Sequence, residues 1–225
     1  MNPPLLEARK LHKIYRSGGQ DLAVLTGTDL VVCAGESVSI CGDSGSGKTT
    51  LLHILAGLDQ PDSGAVLWDG MDLAASGAPG TAVLRRKYLG MVFQSFHLVH
   101  ELDVLENLML AGRIAGGNRR TAHEQAGKLL DQIGLGDRRS HLPRQLSGGE
   151  CQRVAIARSL MNSPRVVLAD EPTGNLDEQA GAGVVELILS LCANHGTAVV
   201  LVTHNARHAA QTGRKLFLKG GQLTE

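Results

Sequence analysis

The stretch GDSGSGKT, Gly42 to Thr49, sets a lysine and a threonine directly after a glycine-rich turn, in the pattern G-x-x-x-x-G-K-[ST]. Glycines let a backbone curl until several N–H groups converge on one anion. A helix that opens there adds the positive end of its dipole. The pattern predicts a phosphate cradle built from Gly42, Asp43, Ser44, Gly45, Ser46, Gly47, Lys48, Thr49 and Thr50. Lys48 should reach the β- and γ-phosphates of a nucleoside triphosphate, and Thr49 should offer its hydroxyl to Mg2+. Far downstream, RVVLADEP ends an apolar run in two carboxylates. Successive side chains on a strand point opposite ways, so the pair can divide labour as the chain leaves the sheet. Asp170 would hold Mg2+, directly or through water. Glu171 would sit beside the γ-phosphate and orient or deprotonate the attacking water.

A second anion-binding signal, LSGGE, follows the first after about a hundred residues. Ser147 reads as an N-cap, its hydroxyl close to the free N–H groups of a helix beginning at Gly149 or Glu150. A cap requires only the serine. Gly148 and Gly149 remove side chains where something must approach the backbone closely. The stretch has no lysine to match Lys48, so it reads either as an ordinary capped helix or as half of a binding site.

These residues need a scaffold, and the pattern supplies one. LLEARKLHKIY and AVLTGTDLVVCAGESVSICG read as strands and turns, and TTLLHILAGL has helical period. SGAVLWDG and LGMVF read as short strands. From Val104 to about Gly134 the pattern is helical, interrupted by AGGNRR. GGECQRVAIARSLMNSP predicts a helix stopped before Pro164. RVVLAD and TAVVLVTH are continuous apolar runs, as strands covered on both faces should be. EQAGAGVVELILSLCANHG predicts an amphipathic helix ending at Gly196, and NARHAAQT a further helix before a terminal strand, RKLFLKGGQL. Alternating strands and helices predict an α/β fold with a largely parallel central sheet. The helical stretch over about 95–161 predicts a subdomain within one domain.

Composition narrows the function classes. The 225 residues are 43% apolar, enough for a substantial core, but only 3% aromatic, so that core must be aliphatic. Lys plus Arg and Asp plus Glu are 22 each, and this balance argues against a nucleic-acid partner. Cys33, Cys41, Cys151 and Cys192 are scattered, with no C-x-x-C pair, and read as reduced thiols of a cytosolic protein. No signal-peptide core and no apolar run of about 18–20 residues is present, so membrane work would require another polypeptide.

The Walker A stretch, LSGGE, VLADEPTGNLD and VLVTH, in this order and spacing, resemble the nucleotide-binding subunit of ABC transporters across essentially the whole chain. The resemblance implies a P-loop ATPase fold with a mainly parallel RecA-like core (about 1–94 and 162–225), an antiparallel β subdomain and a helical signature subdomain. It implies two ATPs sandwiched in a head-to-tail dimer of identical copies, with Ser147, Gly148, Gly149 and Glu150 contacting ATP in trans. By the same resemblance Tyr15, ahead of a glycine-containing turn, stacks on adenine. Gln94 in MVFQSF senses Mg2+ and the attacking water. Asp177 in GNLD crosses the dimer interface, and His204 contacts the γ-phosphate.

A narrower similarity, carried by SGSGKTTLLHILAGLDQPDSG, LGMVFQSFHLVHELDVLENLML and LADEPTGNLD, points to the branch of lipoprotein-releasing (LolD-type), macrolide-exporting (MacB-type) and cell-division (FtsE-type) ATPases. The length is that of a stand-alone cassette, which favours separate integral membrane permease subunits, a lipoprotein-releasing role and a peripheral place at the cytoplasmic face of the inner membrane. Phe96, Leu98 and Leu102 are expected either to contact that partner or to pack internally. A DNA-repair ATPase of this architecture would carry a coiled coil or zinc ligands between Walker A and signature, and neither is present. Intact Lys48, Glu171 and His204 argue against a non-catalytic module.

Overall fold

The computed structural model describes residues 4–17 and 20–225. In chain order come β1 (Pro4–Ser17), β2 (Gln20–Cys33), β3 (Ser37–Cys41), α1 (Lys48–Leu55), β4 (Ser63–Trp68), β5 (Met71–Asp72) and α2 (Leu73–Tyr88). They are followed by β6 (Leu89–Val92), α3 (Val104–Ile114), α4 (Arg119–Gln132), α5 (Gly148–Leu160), β7 (Val166–Asp170) and α6 (Glu178–Asn194). The chain closes with β8 (Ala198–Val202), α7 (Ala206–Ala209), β9 (Arg214–Lys219) and β10 (Gln222–Thr224). Contacts divide it into two compact units, Met1–Arg85 with Ala198–Glu225, and Arg86–Thr197.

In the first unit β1 and β2 form a long antiparallel ladder that keeps Leu11 opposite Thr28 and Tyr15 opposite Leu22. β4 pairs with the other edge of β1, and β5 with β4, giving the order β2-β1-β4-β5. The glycine pair at 18–19, expected to turn between the first two strands, lies outside the described residues. β3 runs parallel to β8 on one side and to β9 on the other. Val38, Ile40, Val199, Val200, Leu201 and Val202 are buried, so these apolar runs are covered on both faces as their composition requires. α1 buries Leu51, Leu52, Ile54 and Leu55, each contributing roughly 1.5–3 kcal/mol. Trp68 donates its indole N–H to the Leu55 carbonyl at 3.1 Å, satisfying a carbonyl that the helix end leaves open.

The second unit is built on the parallel pair β6–β7, in which Val92 faces Ala169, and on the packed helices α3 to α6. α3 starts with a capping box between Asp103 and Glu106. Buried Asn107 donates to the carbonyls of Val99, Leu102 and Asp103, fixing the segment that leads into that helix. α5 is buried almost all round: Val154, Ala155, Ile156, Ala157 and Leu160 are each 1% exposed or less. It is the central helix of its unit, and its start, at Ser147 and Gly148, is the exposed end.

Three expectations change. RKLFLKGGQL is two antiparallel strands, β9 and β10, because Gly220 and Gly221 both take positive φ and reverse the chain. The helix after Ser147 starts at Gly148, one residue early. α2 was not foreseen: Gly77 breaks it with φ 62° and ψ 170°, and Pro79 lies inside, which blurs the helical period.

Candidate nucleotide site

Register alone places the first group of site residues. Ile40 of β3 pairs with Val202 of β8, so Gly42 and His204 leave neighbouring parallel strands at the same carboxyl edge. That edge is where open α/β sheets bind ligands. The loop turns through Gly47, which has φ 101° and serves as the N-cap of α1. A Cβ there would stand 2.5 Å from Val24 Cγ1, so both the backbone angle and the packing against β2 require glycine. Gly47 provides no side-chain cap, and the first turn of α1 holds no acidic residue. The positive helix end therefore stays open toward the loop. Lys48 is buried, and its Nζ donates to the carbonyls of Gly42 at 2.8 Å and Asp43 at 2.7 Å, bracing the loop from within. Asp43, Ser44, Gly45 and Thr49 are exposed on the rim; Ser46 and Thr50 are half-buried.

Tyr15, near the end of β1, is 39% exposed. Its hydroxyl donates to Asp59 Oδ2 at 2.8 Å, and Lys13 donates to Asp59 Oδ1 at 2.9 Å and to the Gln60 carbonyl at 2.7 Å. Thr50, in the first turn of α1, is a further hydrogen-bond neighbour of the Tyr15 hydroxyl. The aromatic expected at adenine is thus tied to Asp59, just beyond the helix that follows the phosphate loop. Partial burial opposes charge on Asp59, yet the hydrogen bonds from Lys13 and Tyr15 outweigh it and hold the carboxyl below its usual range. Burial and the same carboxylate raise the Tyr15 hydroxyl. For Lys13, burial opposes the charge and Asp59 overcomes it, raising the ammonium. Sequence reasoning missed Lys13 and Asp59, since a pair 46 residues apart leaves no local signal. His204 is exposed; the Thr203 N–H just before it donates to the Ile40 carbonyl at 3.2 Å, and Asn205 caps α7.

The second unit repeats the strand-end logic. Val92 pairs with Ala169, so Gln94 and Glu171 lie two residues beyond a matched pair on parallel β6 and β7. Asp170 ends β7 and is 9% exposed. Glu171 takes φ 44°, a left-handed conformation that costs a non-glycine residue roughly 1–3 kcal/mol. Regular strand alternation ends at Asp170, because Glu171 leaves the sheet in that left-handed conformation. Gly174 donates its N–H to the Glu171 carbonyl at 3.0 Å, closing the turn. Gln94 packs on Gly174, and the Asn175 side chain donates to the Gln94 carbonyl at 3.0 Å.

Ser147 caps α5 with its side chain exposed. Glu150 completes the box: its Oε2 accepts from the Ser147 N–H and from the Ser147 hydroxyl, both at 2.8 Å. Those bonds hold the Glu150 carboxyl below its usual range. Glu150 thus faces its own helix tip. Asp177 caps α6 by accepting from the Ala180 N–H at 2.8 Å. Cys151 lies buried under Pro143, and burial raises its thiol; the same cause pushes Cys192 up to about 12. Phe96, His97, Leu98, Pro143 and Arg144 line a groove of about 540 Å³ whose surface includes Cys151. Leu102 lies outside that lining, its carbonyl bound by Asn107.

Thr49 of the first unit carries a hydroxyl oxygen, and Gln94 and Asp170 of the second an amide and a carboxylate oxygen; each is a hard donor of the kind that Mg2+ takes. Among the described residues no group of three His, Cys, Asp or Glu side chains could hold a metal alone.

The model of the ABC transporter family matches residues 25–174. The chain is 48% identical to the lipoprotein-releasing system ATP-binding protein LolD of Shewanella sp. (strain MR-4), covering 99% of this chain and 96% of that one. It is 47% identical to the ABC transporter ATP-binding protein YbbA of Escherichia coli (strain K12), covering 98% and 97%. Among solved structures it is similar to the ATP-binding cassette MJ0796 in a dimeric post-hydrolysis state bound to ADP and Pi, with TM-score 0.88, 35% identity and 98% and 97% coverage.

Proposed function

The chain belongs to the ABC transporter family, as an ATP-hydrolysing subunit, and from that premise we propose how it works and for what. Two copies close head to tail on ATP and drive separate integral membrane permease subunits, in the manner of a lipoprotein-releasing ATP-binding subunit. Its place is peripheral, at the cytoplasmic face of the inner membrane. Among the described residues no helix is long and apolar enough to cross a membrane. The chain acts as a single ATPase domain in which residues of about 95–161 form the helical signature subdomain.

One observation carries the reading: two helices start at glycine-bearing turns, and the two starts are unequal. The end of α1 has Lys48 and a glycine loop. The end of α5 has an exposed serine and two glycines without a lysine, a cap suited to complete a site whose cation lies on another copy.

Water attacks the γ-phosphorus in line, its oxygen forming the new P–O bond while the bond to the β,γ-bridging oxygen breaks and ADP leaves. Glu171 holds that water and takes its proton; Gln94 and His204 orient the water and the γ-phosphate. Lys48 and the loop N–H groups hold the charge that spreads over the phosphate oxygens, and Ser147 of the partner subunit adds its hydroxyl once that turns from Glu150. Thr49, Gln94 and Asp170 would hold Mg2+, directly or through water, which supplies charge neutralisation. Loss of one such preorganised donor costs on the order of 10²–10³ in rate. Tyr15 stacks on adenine, and Asp177 meets the partner copy.

A cytoplasmic helix of the permease docks at the groove beside Phe96; Leu98, also in its lining, is buried. Affinity purification of the chain from detergent-extracted membranes tests the assignment. An integral membrane permease should co-purify, and the reconstituted complex should release a lipoprotein from vesicles on adding ATP. A permease that instead moves a small solute across the vesicle would exclude lipoprotein release.

A further inference from the structure

Gln152 lies five residues past Ser147 on α5 and is fully buried, at 0% exposure. Its side-chain nitrogen donates to the Pro172 carbonyl at 2.7 Å and to the Phe93 carbonyl at 3.2 Å. Pro172 directly follows Glu171, and Phe93 directly precedes Gln94. Both hydrogens of one amide group therefore hold the backbone beside the two residues read as handling the attacking water. Farther along the same helix, Arg158 donates to the carbonyls of Phe96, at 2.9 Å, and His97. The segment around Gln94 is thus strapped to α5 on both sides. The Phe93 and His97 rings close the loop by an edge-on contact, 5.1 Å between centroids.

We propose that Gln152 is a positioning residue which sets Gln94 and Glu171 of its own copy, so that α5 serves two nucleotides at once. This rests on the head-to-tail reading above. The tip of the helix, through Ser147, completes the site of the partner copy. Its middle, through Gln152, holds the hydrolytic residues of its own copy. α5 is one continuous helix packed on nearly every side, so closure of the tip on one ATP bears on the backbone that positions Gln94 and Glu171 for the other. Gln152 would then be the residue through which each site learns that its opposite is filled.

The proposal has a test in which stability cancels. Two copies are joined in one chain by a flexible Gly/Ser linker. One fusion carries Ser147→Ala in one copy and Gln152→Met in the other. A second fusion carries both substitutions in one copy beside a wild-type copy. The two proteins hold the same substitutions and differ only in their distribution. If Gln152 acts on its own copy's site, the first fusion has both defects in one site and keeps the other intact, while the second has one defect in each. The first should then hydrolyse ATP several-fold faster at saturating ATP, with the same ATP affinity. Equal rates, or a faster second fusion, would overturn the proposal, because Gln152 would then be supporting only the tip of its helix. Gln152→Glu, which keeps the volume and sets a carboxylate against the two carbonyls, should give the same order. If the wild-type fusion failed to hydrolyse ATP, the ATPase reading itself would fall, and the proposal with it, a result distinct from the loss of this order alone.

Discussion

Gln94 lies so close over Gly174 that a Cβ on the glycine would stand 2.7 Å from Gln94 Nε2 and 2.9 Å from its Cγ. The residue read as sensing the attacking water and the loop that follows Glu171 therefore share one contact. Gly174→Ala should push Gln94 aside. We expect hydrolysis to fall on the order of 10²-fold, the scale of a 1 Å misplacement near a reacting centre. ATP affinity and melting temperature should hardly move. Single-turnover hydrolysis beside equilibrium nucleotide binding checks this; a variant at the wild-type rate would separate Gln94 from the chemistry.

Lys48 braces the phosphate loop through the carbonyls of Gly42 and Asp43. Lys48→Ala removes both these bonds and the cation expected at the phosphates. A lost charged hydrogen bond is worth about 1.5–3 kcal/mol, so ATP affinity should fall roughly 10- to 100-fold. Titration calorimetry measures it, and an unchanged dissociation constant would contradict the assignment of the loop.

Asp59 tethers Tyr15 and Lys13. Asp59→Ala should weaken ATP binding while leaving inorganic tripolyphosphate binding as it was, because only the adenine face is disturbed. The pH dependence has a definite sign. The folded carboxyl is depressed, so its stabilisation is complete above its ordinary value of 3.8 and is lost as pH falls through the lower folded value. Lys13 is raised above 10.5, so its share persists below that pH and is lost as pH rises through the folded value. The stability gap between wild type and Asp59→Ala, about 1.5–3 kcal/mol for a charged hydrogen bond lost beside the buried Lys13 ammonium, should stay flat from about pH 5 to 9. Thermal melts across that range would expose any trend.

At the tip of α5, Ser147 and Glu150 cap each other. Ser147→Ala should cost about 1 kcal/mol of stability, the usual worth of an N-cap. Hydrolysis should fall while the nucleotide affinity of a single copy stays close to wild type. A large loss of affinity in the monomer would mean that the serine serves its own copy's nucleotide.

The strand ends were legible in the sequence because apolar runs stop abruptly at charged or glycine-rich turns: Cys41 before Gly42, Ala169 before Asp170 and Glu171, Val202 before His204. Strand register then does the placing. Residues that act through long-range hydrogen bonds were not legible. Gln152 reads as one polar letter on a helix, and only the packing shows that its amide spans Phe93 and Pro172, 59 and 20 residues away. The positive φ of Glu171 was equally hidden, since no glycine marks it. α2 was missed because Gly77 and Pro79 spoil its period, although Thr81 donates to the Gly77 carbonyl at 2.9 Å and steadies the break.

Glu171→Gln tests the head-to-tail sandwich most directly. The amide keeps the shape of the side chain but takes no proton, so hydrolysis should stop while ATP binding persists. Light scattering in line with a sizing column, at saturating Mg-ATP, should then find a dimer of twice the 23.7 kDa chain mass, dissociating when ATP is removed. A variant that binds ATP and stays monomeric would contradict the account.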